Sequence, residues 1–379
     1  MTQSLPGQAP PDGPQAAGAN PQPPVQSARK EAVINAAVGI TLRTLPHIPD
    51  RVKRMLLGFR SITVDGNTLD TTLQLMLAAQ RAVGIESGLL ADDDVAVSRE
   101  KLRILAASFK QNLPVAKVTN LSIPGPDGPI PARHYRPAEG YGPLLVFYHG
   151  GGQVIGDLDT HDDVCRQICR EGGLHVLSVD YRLAPEHKAP AGSDDAHAAF
   201  QWALDRAAEL DADPGRVAVG GDSAGGNLAA LVAQRARNEG TTLPALQLLI
   251  YPVTNYREET RSQTLFAEGY FLTKHDLHWF RDKYLSGAQL DASDSRVSPL
   301  LADDLTGLPP ALVLTGGFDP LRDEGQQYAD AMRAAGVTVD HRQFGSLVHG
   351  FVNFFPLGGD SATATTEMIS ALRAHLARA

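Results

Sequence analysis

Val217-Ala218-Val219-Gly220-Gly221-Asp222-Ser223-Ala224-Gly225-Gly226-Asn227 is the stretch whose reading decides the fold. A short apolar run ends in glycines, and a Leu/Ala-rich helical pattern starts directly after it. Within it, Gly221, Asp222, Ser223, Ala224 and Gly225 form G-x-S-x-G. That spacing has a mechanical reason. A serine on a sharp strand-to-helix turn is held in a strained backbone conformation, and neighbours without side chains let the turn close. The hydroxyl then stands clear of the sheet. The free N–H groups and dipole of the following helix favour negative charge beside it. Ser223 is therefore read as a nucleophile, in preference to an ordinary member of a Gly-rich connector, because a strand precedes it and a helix follows.

The neighbouring segments repeat the same alternation. Leu144–Tyr148, Val176–Val179, Val217–Val219, Leu246–Ile250 and Ala311–Leu314 are short apolar runs, and Val337–Phe344 reads as a last strand. Helical patterns lie between and after them, around 160–172, 191–210, 225–239, 322–335 and 362–378. Lys117–Ile123 and Ile130–Tyr135 flank Gly128 and Pro129 as a hairpin. Strands alternating with helices predict an α/β domain with a mostly parallel central sheet flanked by helices. This catalytic domain is placed at 113–379. Residues 253–299 break the alternation with an aromatic-rich excursion that is expected to return to the cap. The cap is placed at 29–112, where apolar residues recur at helical spacing between punctuating prolines and glycines. Residues 1–28 are rich in Pro, Gln, Gly and Ala and have too few large apolar side chains to offset ordering entropy, so a disordered tail is expected.

Composition excludes several classes. The 379 residues are 43% hydrophobic and 20% charged, which suits a globular protein with a sizeable core. A formal net charge of −9 without a long basic run argues against nucleic acid as a partner. No apolar stretch is long enough to span a bilayer, so stable membrane insertion is not expected. The first residues lack the basic and apolar regions of a secretory signal, and a cytoplasmic location is the expectation. The two cysteines, Cys165 and Cys169, fit a reducing compartment and a structural role. His275 and His278 lie three apart without a third ligand at suitable spacing, and Asp92-Asp93-Asp94 reads as a solvated turn or helix start. No metal site and no cofactor are assigned.

A serine hydroxyl needs a base to take its proton, an acid to orient that base, and donors for the developing oxyanion. The donors come first in the chain. His149-Gly150-Gly151-Gly152 follows the run 144–148, and glycines let backbone N–H groups approach a substrate oxygen. Gly151 and Gly152, with Ala224 after the nucleophile, are assigned as the oxyanion hole. Asp319 follows the run Leu312–Phe318 and precedes Pro320, where the orienting acid belongs. Asp323 and Glu324 are its rivals, one turn into the next helix. His349, in Gly345-Ser346-Leu347-Val348-His349-Gly350-Phe351, lies where the base should follow the last strand, whereas His341 falls inside that strand and His375 inside the final helix.

With these residues in place, the sequence resembles the hormone-sensitive-lipase-type (bacterial family IV) esterases of the α/β-hydrolase superfamily. The resemblance rests on His149–Gly152, Tyr181-Arg182-Leu183-Ala184-Pro185-Glu186-His187, Gly221–Asn227, Asp319–Gly325 and His349-Gly350-Phe351. It implies the α/β-hydrolase fold with a helical cap completed by a later insertion. It implies Ser223 as nucleophile, His349 as base and Asp319 as its partner. The Tyr181–His187 block is expected to be architectural, its charged members holding loops near the oxyanion turn. A serine carboxylesterase of short- to medium-chain esters is the implied activity, with a small-molecule ester as substrate and a homodimer through the last strand and neighbouring helix. An amide hydrolase or acyltransferase using the same triad, or a non-catalytic ligand-binding member of the fold, are the alternatives. Gln153 departs from the pattern, since many relatives carry an aromatic residue after the glycines.

Overall fold

The computed structural model describes residues 1–2, 43–82, 88–90 and 92–378. The tail expected over 1–28 and the first helical run, Val33–Leu42, lie outside the described residues apart from the first two.

Among the described residues the cap region includes helices α1 (Asp50–Leu56), α2 (Thr71–Ala82) and α3 (Val95–Ser108). Asp94 caps α3, its carboxylate accepting the N–H groups of Ala96 and Val97. Here the structure adds what the periodicity did not show. Thr63–Val64 (β1) and Asn67–Thr68 (β2) form a two-stranded hairpin around Asp65 and Gly66. Two residues per strand are too few for an alternating pattern to register.

The remaining strands build one eight-stranded sheet. They are β3 (Lys117–Gly125), β4 (Gly128–Arg136), β5 (Gly142–Tyr148), β6 (His175–Val179), β7 (Ala212–Asp222), β8 (Gln247–Ile250), β9 (Ala311–Phe318) and β10 (Val339–Val348). Their spatial order is β10-β9-β8-β7-β5-β6-β4-β3. All neighbouring pairs are parallel except β3 with β4 and β4 with β6. Two strands run further than their apolar runs suggested. β9 continues through Gly316 and Gly317 to Phe318, and β10 continues to Val348, directly before His349.

The helices that cover this sheet are α4 (Asp162–Gly172), α5 (Ala191–Arg206), α6 (Ala224–Glu239), α9 (Arg322–Ala334) and α10 (Gly359–Leu376), while the insertion carries α7 (Arg261–Leu265) and α8 (Lys274–Leu285). Strand alternation sorts the core into two layers. Leu145 and Phe147 of β5 pack with Ile168 and Cys169 of α4 and with Met368 and Leu372 of α10. Leu144, Val146 and Tyr148 face the opposite way, toward Phe200 of α5, Leu228 of α6 and Met332 of α9. Each such fully buried aliphatic side chain contributes roughly 1.5–3 kcal/mol. Cys165 and Cys169 are buried free thiols in the first layer, consistent with a packing role.

The insertion packs against residues that precede the sheet. Trp279 and Phe280 of α8 share an apolar cluster with Leu90, Val95 and Leu102. Asp276 accepts the backbone N–H groups of Leu89 and Leu90 at 3.0 and 3.3 Å. Among the described residues no helix is long and apolar enough to cross a membrane.

Topology positions the site. After β5 the chain moves to one side, to β6, and then back past β5 to β7 on the other. Strand order therefore reverses beside β5, and open α/β sheets bind ligands outside the carboxyl ends of strands at such a point. Tyr148 pairs with Gly221 in register, so the loop after β5 and the turn after β7 emerge side by side.

Candidate active site

Ser223 sits at φ 57°, ψ −118°, a conformation that costs a non-glycine residue about 1–3 kcal/mol and persists only when its surroundings over-determine it. They do so here. Ser223 N–H donates to Ile250 O at 2.8 Å, and Ser223 O accepts from Asn227 N–H at 3.0 Å. Gly225 lies so close to the Tyr148 carbonyl that a Cβ there would strike it. That close approach lets α6 start directly beneath the serine.

The remaining predicted side chains converge on it. Ser223 Oγ lies 3.0 Å from His349 Nε2, and His349 Nδ1 lies 2.8 Å from Asp319 Oδ2. The second Asp319 oxygen accepts the Leu321 N–H at 2.8 Å, which fixes the carboxylate. A carboxylate can only accept, so the Nδ1 proton faces Asp319 and the Nε2 lone pair faces the serine hydroxyl. Residue exposures of 8% for Ser223, 4% for His349 and 0% for Asp319 leave little room for bulk water. The rivals lie elsewhere. Asp323 accepts from Ser262 N–H and pairs with Arg322. Glu324 accepts from Thr254 N–H, Asn255 N–H and Gln263 Nε2. Burial outweighs those three donors and pushes its carboxyl up to about 8.

Gly151 and Gly152, at φ 116° and 60°, form the turn after β5. A Cβ on Gly152 would enter the Phe280 ring. Gly151 and Ser223 line one cavity of about 80 Å³ with Leu102, Leu105, Phe109 and Phe354. Gly152 and Ser223 line a second of about 50 Å³ with Val253, Leu272, Phe280 and Leu321. His349 borders both. Ala224 follows the nucleophile at the first turn of α6, where backbone N–H groups have no intrahelical partner.

Several supporting residues escaped the sequence reading. Asp222 stands in the sequence only as a member of G-x-S-x-G, yet it joins the two turns. Its Oδ1 accepts the Gly150 N–H at 2.9 Å and lies 3.2 Å from His161 Nε2, while Tyr251 Oη and Asn353 Nδ2 reach its Oδ2 at 3.4 Å. Burial pushes the Asp222 carboxyl up, but His161, the Gly150 N–H and His149 outweigh it and hold the group below its usual range. In the Tyr181–His187 block, Tyr181 Oη donates to His149 O at 2.7 Å and Arg182 pairs with Asp195. Glu186 instead reaches out to the cap, forming two 2.8 Å hydrogen bonds with Arg99 of α3. Only the pairing of residues remote in sequence reveals these roles. On α8, His278 lies 3.5 Å from Glu259, and among the described residues no group of three His, Cys, Asp or Glu side chains gathers as a metal-holding set.

Comparison with known proteins shows the family. A family model described as alpha/beta hydrolase fold matches residues 145–353. The carboxylic ester hydrolase LipN of Mycobacterium tuberculosis is 54% identical over 384 residues, covering 100% of both chains. The ethyl acetate hydrolase of Pseudomonas putida is 37% identical over 265 residues, covering 68% of this chain and 83% of its own. Among solved structures, an esterase of Pyrobaculum calidifontis is similar with a TM-score of 0.75 at 40% identity, covering 81% of this chain and 98% of its own.

Proposed function

The chain belongs to the α/β-hydrolase fold family, in the hormone-sensitive-lipase-type branch that its sequence blocks resemble, and from that membership we propose that it is a serine carboxylesterase acting on short- to medium-chain esters through an acyl-enzyme. The observation that carries the reading is the unbroken Asp319–His349–Ser223 hydrogen-bond path, at 2.8 and 3.0 Å, beside a glycine turn. The printed names of the mycobacterial and pseudomonad relatives support the same reaction class.

In this scheme Ser223 Oγ bonds to the ester carbonyl carbon as its proton passes to His349 Nε2. The carbonyl oxygen becomes an oxyanion facing the N–H groups of Gly151, Gly152 and Ala224. Each such donor is worth about 2.7–4 kcal/mol to the transition state. Asp319 accepts the His349 Nδ1–H throughout and stabilises the imidazolium. Collapse breaks the bond to the alkoxy oxygen, and the alcohol departs with the proton from Nε2. Water then gives a proton to His349 and attacks the acyl carbon. The second collapse frees the carboxylic acid and returns the proton to Ser223. Side chains, backbone and water handle every bond and proton, so no cofactor is assigned.

Cavities of about 80 and 50 Å³ flank the serine. An apolar cavity of about 150 Å³ holds benzene. Both cavities beside the serine are smaller than that, which disfavours a long acyl chain. The test is hydrolysis of p-nitrophenyl esters from acetate to palmitate by wild type and Ser223→Ala. Wild type should prefer acetate to octanoate over dispersed palmitate, and the variant, folded by circular dichroism, should lose about 10⁴-fold or more in kcat. Undiminished activity in the variant would refute the assigned nucleophile. Amide cleavage or transfer to an added alcohol faster than ester hydrolysis would move the chain to another acyl-transfer class.

A further inference from the structure

Two of the three donors assigned to the oxyanion belong to Gly151 and Gly152, which have no side chains to hold them. Their position must be imposed by neighbours. Asp222 fixes the start of the loop through the Gly150 N–H. The end of the loop is Gln153, a non-glycine residue at φ 63° whose amide is buried in the protein at 1% exposure.

The surroundings of that amide fix its orientation. Asn227, on the first turn of the helix that starts after Ser223, donates from Nδ2 to Val253 O and Val297 O, both at 2.9 Å. Both Nδ2 hydrogens are thereby used, and Asn227 Oδ1 must face the other way. It accepts from Gln153 Nε2 at 3.1 Å. Among the described residues Gln153 Oε1, Tyr256 Oη and Tyr284 Oη are buried without a hydrogen-bond partner of standard geometry. Tyr256 also lines the second cavity beside Ser223. The backbone is tied down as well, since Gln153 O accepts from Ala184 N–H at 2.9 Å.

We propose that Gln153 is the positioning residue of the oxyanion loop, its amide held by Asn227 and its backbone carbonyl by the Ala184 N–H so that the Gly152 N–H is held toward the reacting carbonyl. The proposal rests on the esterase reading above. Through Asn227 the loop is tied to the nucleophile helix and to the backbone of Val253 and Val297 at one point. A left-handed non-glycine residue next to two glycines stays in place only when its side chain is so anchored.

Gln153→Met keeps the length of the side chain and removes its amide. Steady-state kinetics with p-nitrophenyl butyrate should show kcat lowered about 10- to 100-fold, as for a donor displaced by a fraction of an ångström to 1 Å, with KM within about threefold of wild type. Inhibition by a trifluoromethyl ketone, which forms a tetrahedral oxyanion adduct on the serine, should weaken by the same factor as kcat/KM. Inhibition by the corresponding methyl ketone should weaken far less. Gln153→Glu keeps the shape of the side chain and replaces the donor to Asn227 by an acceptor, and should show the same pattern at about tenfold or more, which keeps the proposal testable should the methionine variant not fold. A kcat within twofold of wild type in Gln153→Met would overturn the assignment. So would a loss confined to KM, or equal weakening of both ketones, in whichever of the two variants folds. Absence of Ser223-dependent activity in the wild type would instead sink the esterase reading.

Discussion

At the scale of single residues, the site depends on groups that stand beside the reacting atoms. Asp222 precedes the nucleophile in sequence but acts across the gap between two strands. Its carboxylate holds the Gly150 N–H and faces His161. Replacing it by alanine strands a buried donor, which costs about 1–3 kcal/mol. Asp222→Ala is therefore expected to lower stability in urea unfolding by that amount and to reduce kcat more than it raises KM, because the loop that carries the oxyanion donors loses its first anchor. Stability and kcat both unchanged would show that the Gly150 contact is dispensable. Gln153 anchors the other end of the same loop, so variants at both positions should combine non-additively, as residues sharing one backbone segment do.

At the scale of elements, two arginines of α3 reach the catalytic domain, Arg103 pairing with Asp157 and Arg99 making the larger set of contacts. Arg99 donates from Nε to Val154 O at 2.8 Å, from Nη2 to Ala184 O at 3.0 Å, and through both terminal nitrogens to Glu186. Its guanidinium holds the Glu186 carboxyl below the usual range. Exposed ion pairs alone contribute about 0–1 kcal/mol, and this one is half in solvent. The backbone carbonyls decide the matter, because they need the planar fork that lysine lacks. Arg99→Lys should therefore behave nearly like Arg99→Ala. Each is expected to lose about 1–3 kcal/mol in chemical unfolding and to become more susceptible to proteolysis within the cap. Full rescue by lysine would mean that charge, and not the fork, makes the contact.

At the scale of the whole molecule, acid should weaken the fold through buried histidines. Gly140 O accepts from His175 Nε2–H at 2.6 Å, which leaves His175 Nδ1 as the acceptor for His134 Nε2–H at 3.0 Å. A second proton on His175 would set N–H against N–H. Burial, the neighbouring His175 and Arg136 hold His134 down to about 4, and burial, with the nearby His161, holds His149 at about 4 as well. A histidine lowered in the folded state lets the unfolded chain bind more protons between about 4 and 6.5, so stability rises with pH in that window and is lost as pH falls through it. Glu324, raised to about 8, works in the opposite direction from its ordinary 4.5 upward. A difference measurement separates the two effects. Relative to wild type, His134→Gln should gain on the order of 2 kcal/mol as pH falls from 7 to 4, read as the change in unfolding free energy. A pH-independent difference would mean that His134 is not kept neutral by the fold.

Much of this protein was legible in its sequence. The strand runs and helical patterns around Gly221–Gly225 are local periodicities, and local periodicity predicts an α/β sheet covered on both faces. The serine, the glycine turn and the histidine could be picked out because strand ends and motif order restrict where such groups belong. Its place after a strand end singled out Asp319 over Asp323 and Glu324, and in three dimensions one helical turn separates a carboxylate at 2.8 Å from His349 from one that holds the backbone of 254 and 255. The hairpin at 63–68 was invisible because two-residue strands carry no pattern. Asp222 with Gly150, Gln153 with Asn227, and Arg99 with Glu186 were equally hidden. Each joins residues more than 70 positions apart, and hydrogen bonds between remote residues follow from how the sheet orders its strands and where the cap comes to rest. Sequence by itself determined the fold class and which residue types stand at the ends of which strands. Tertiary structure decided which of them meet, because directional hydrogen bonds and close packing select partners by distance in space and not by spacing along the chain.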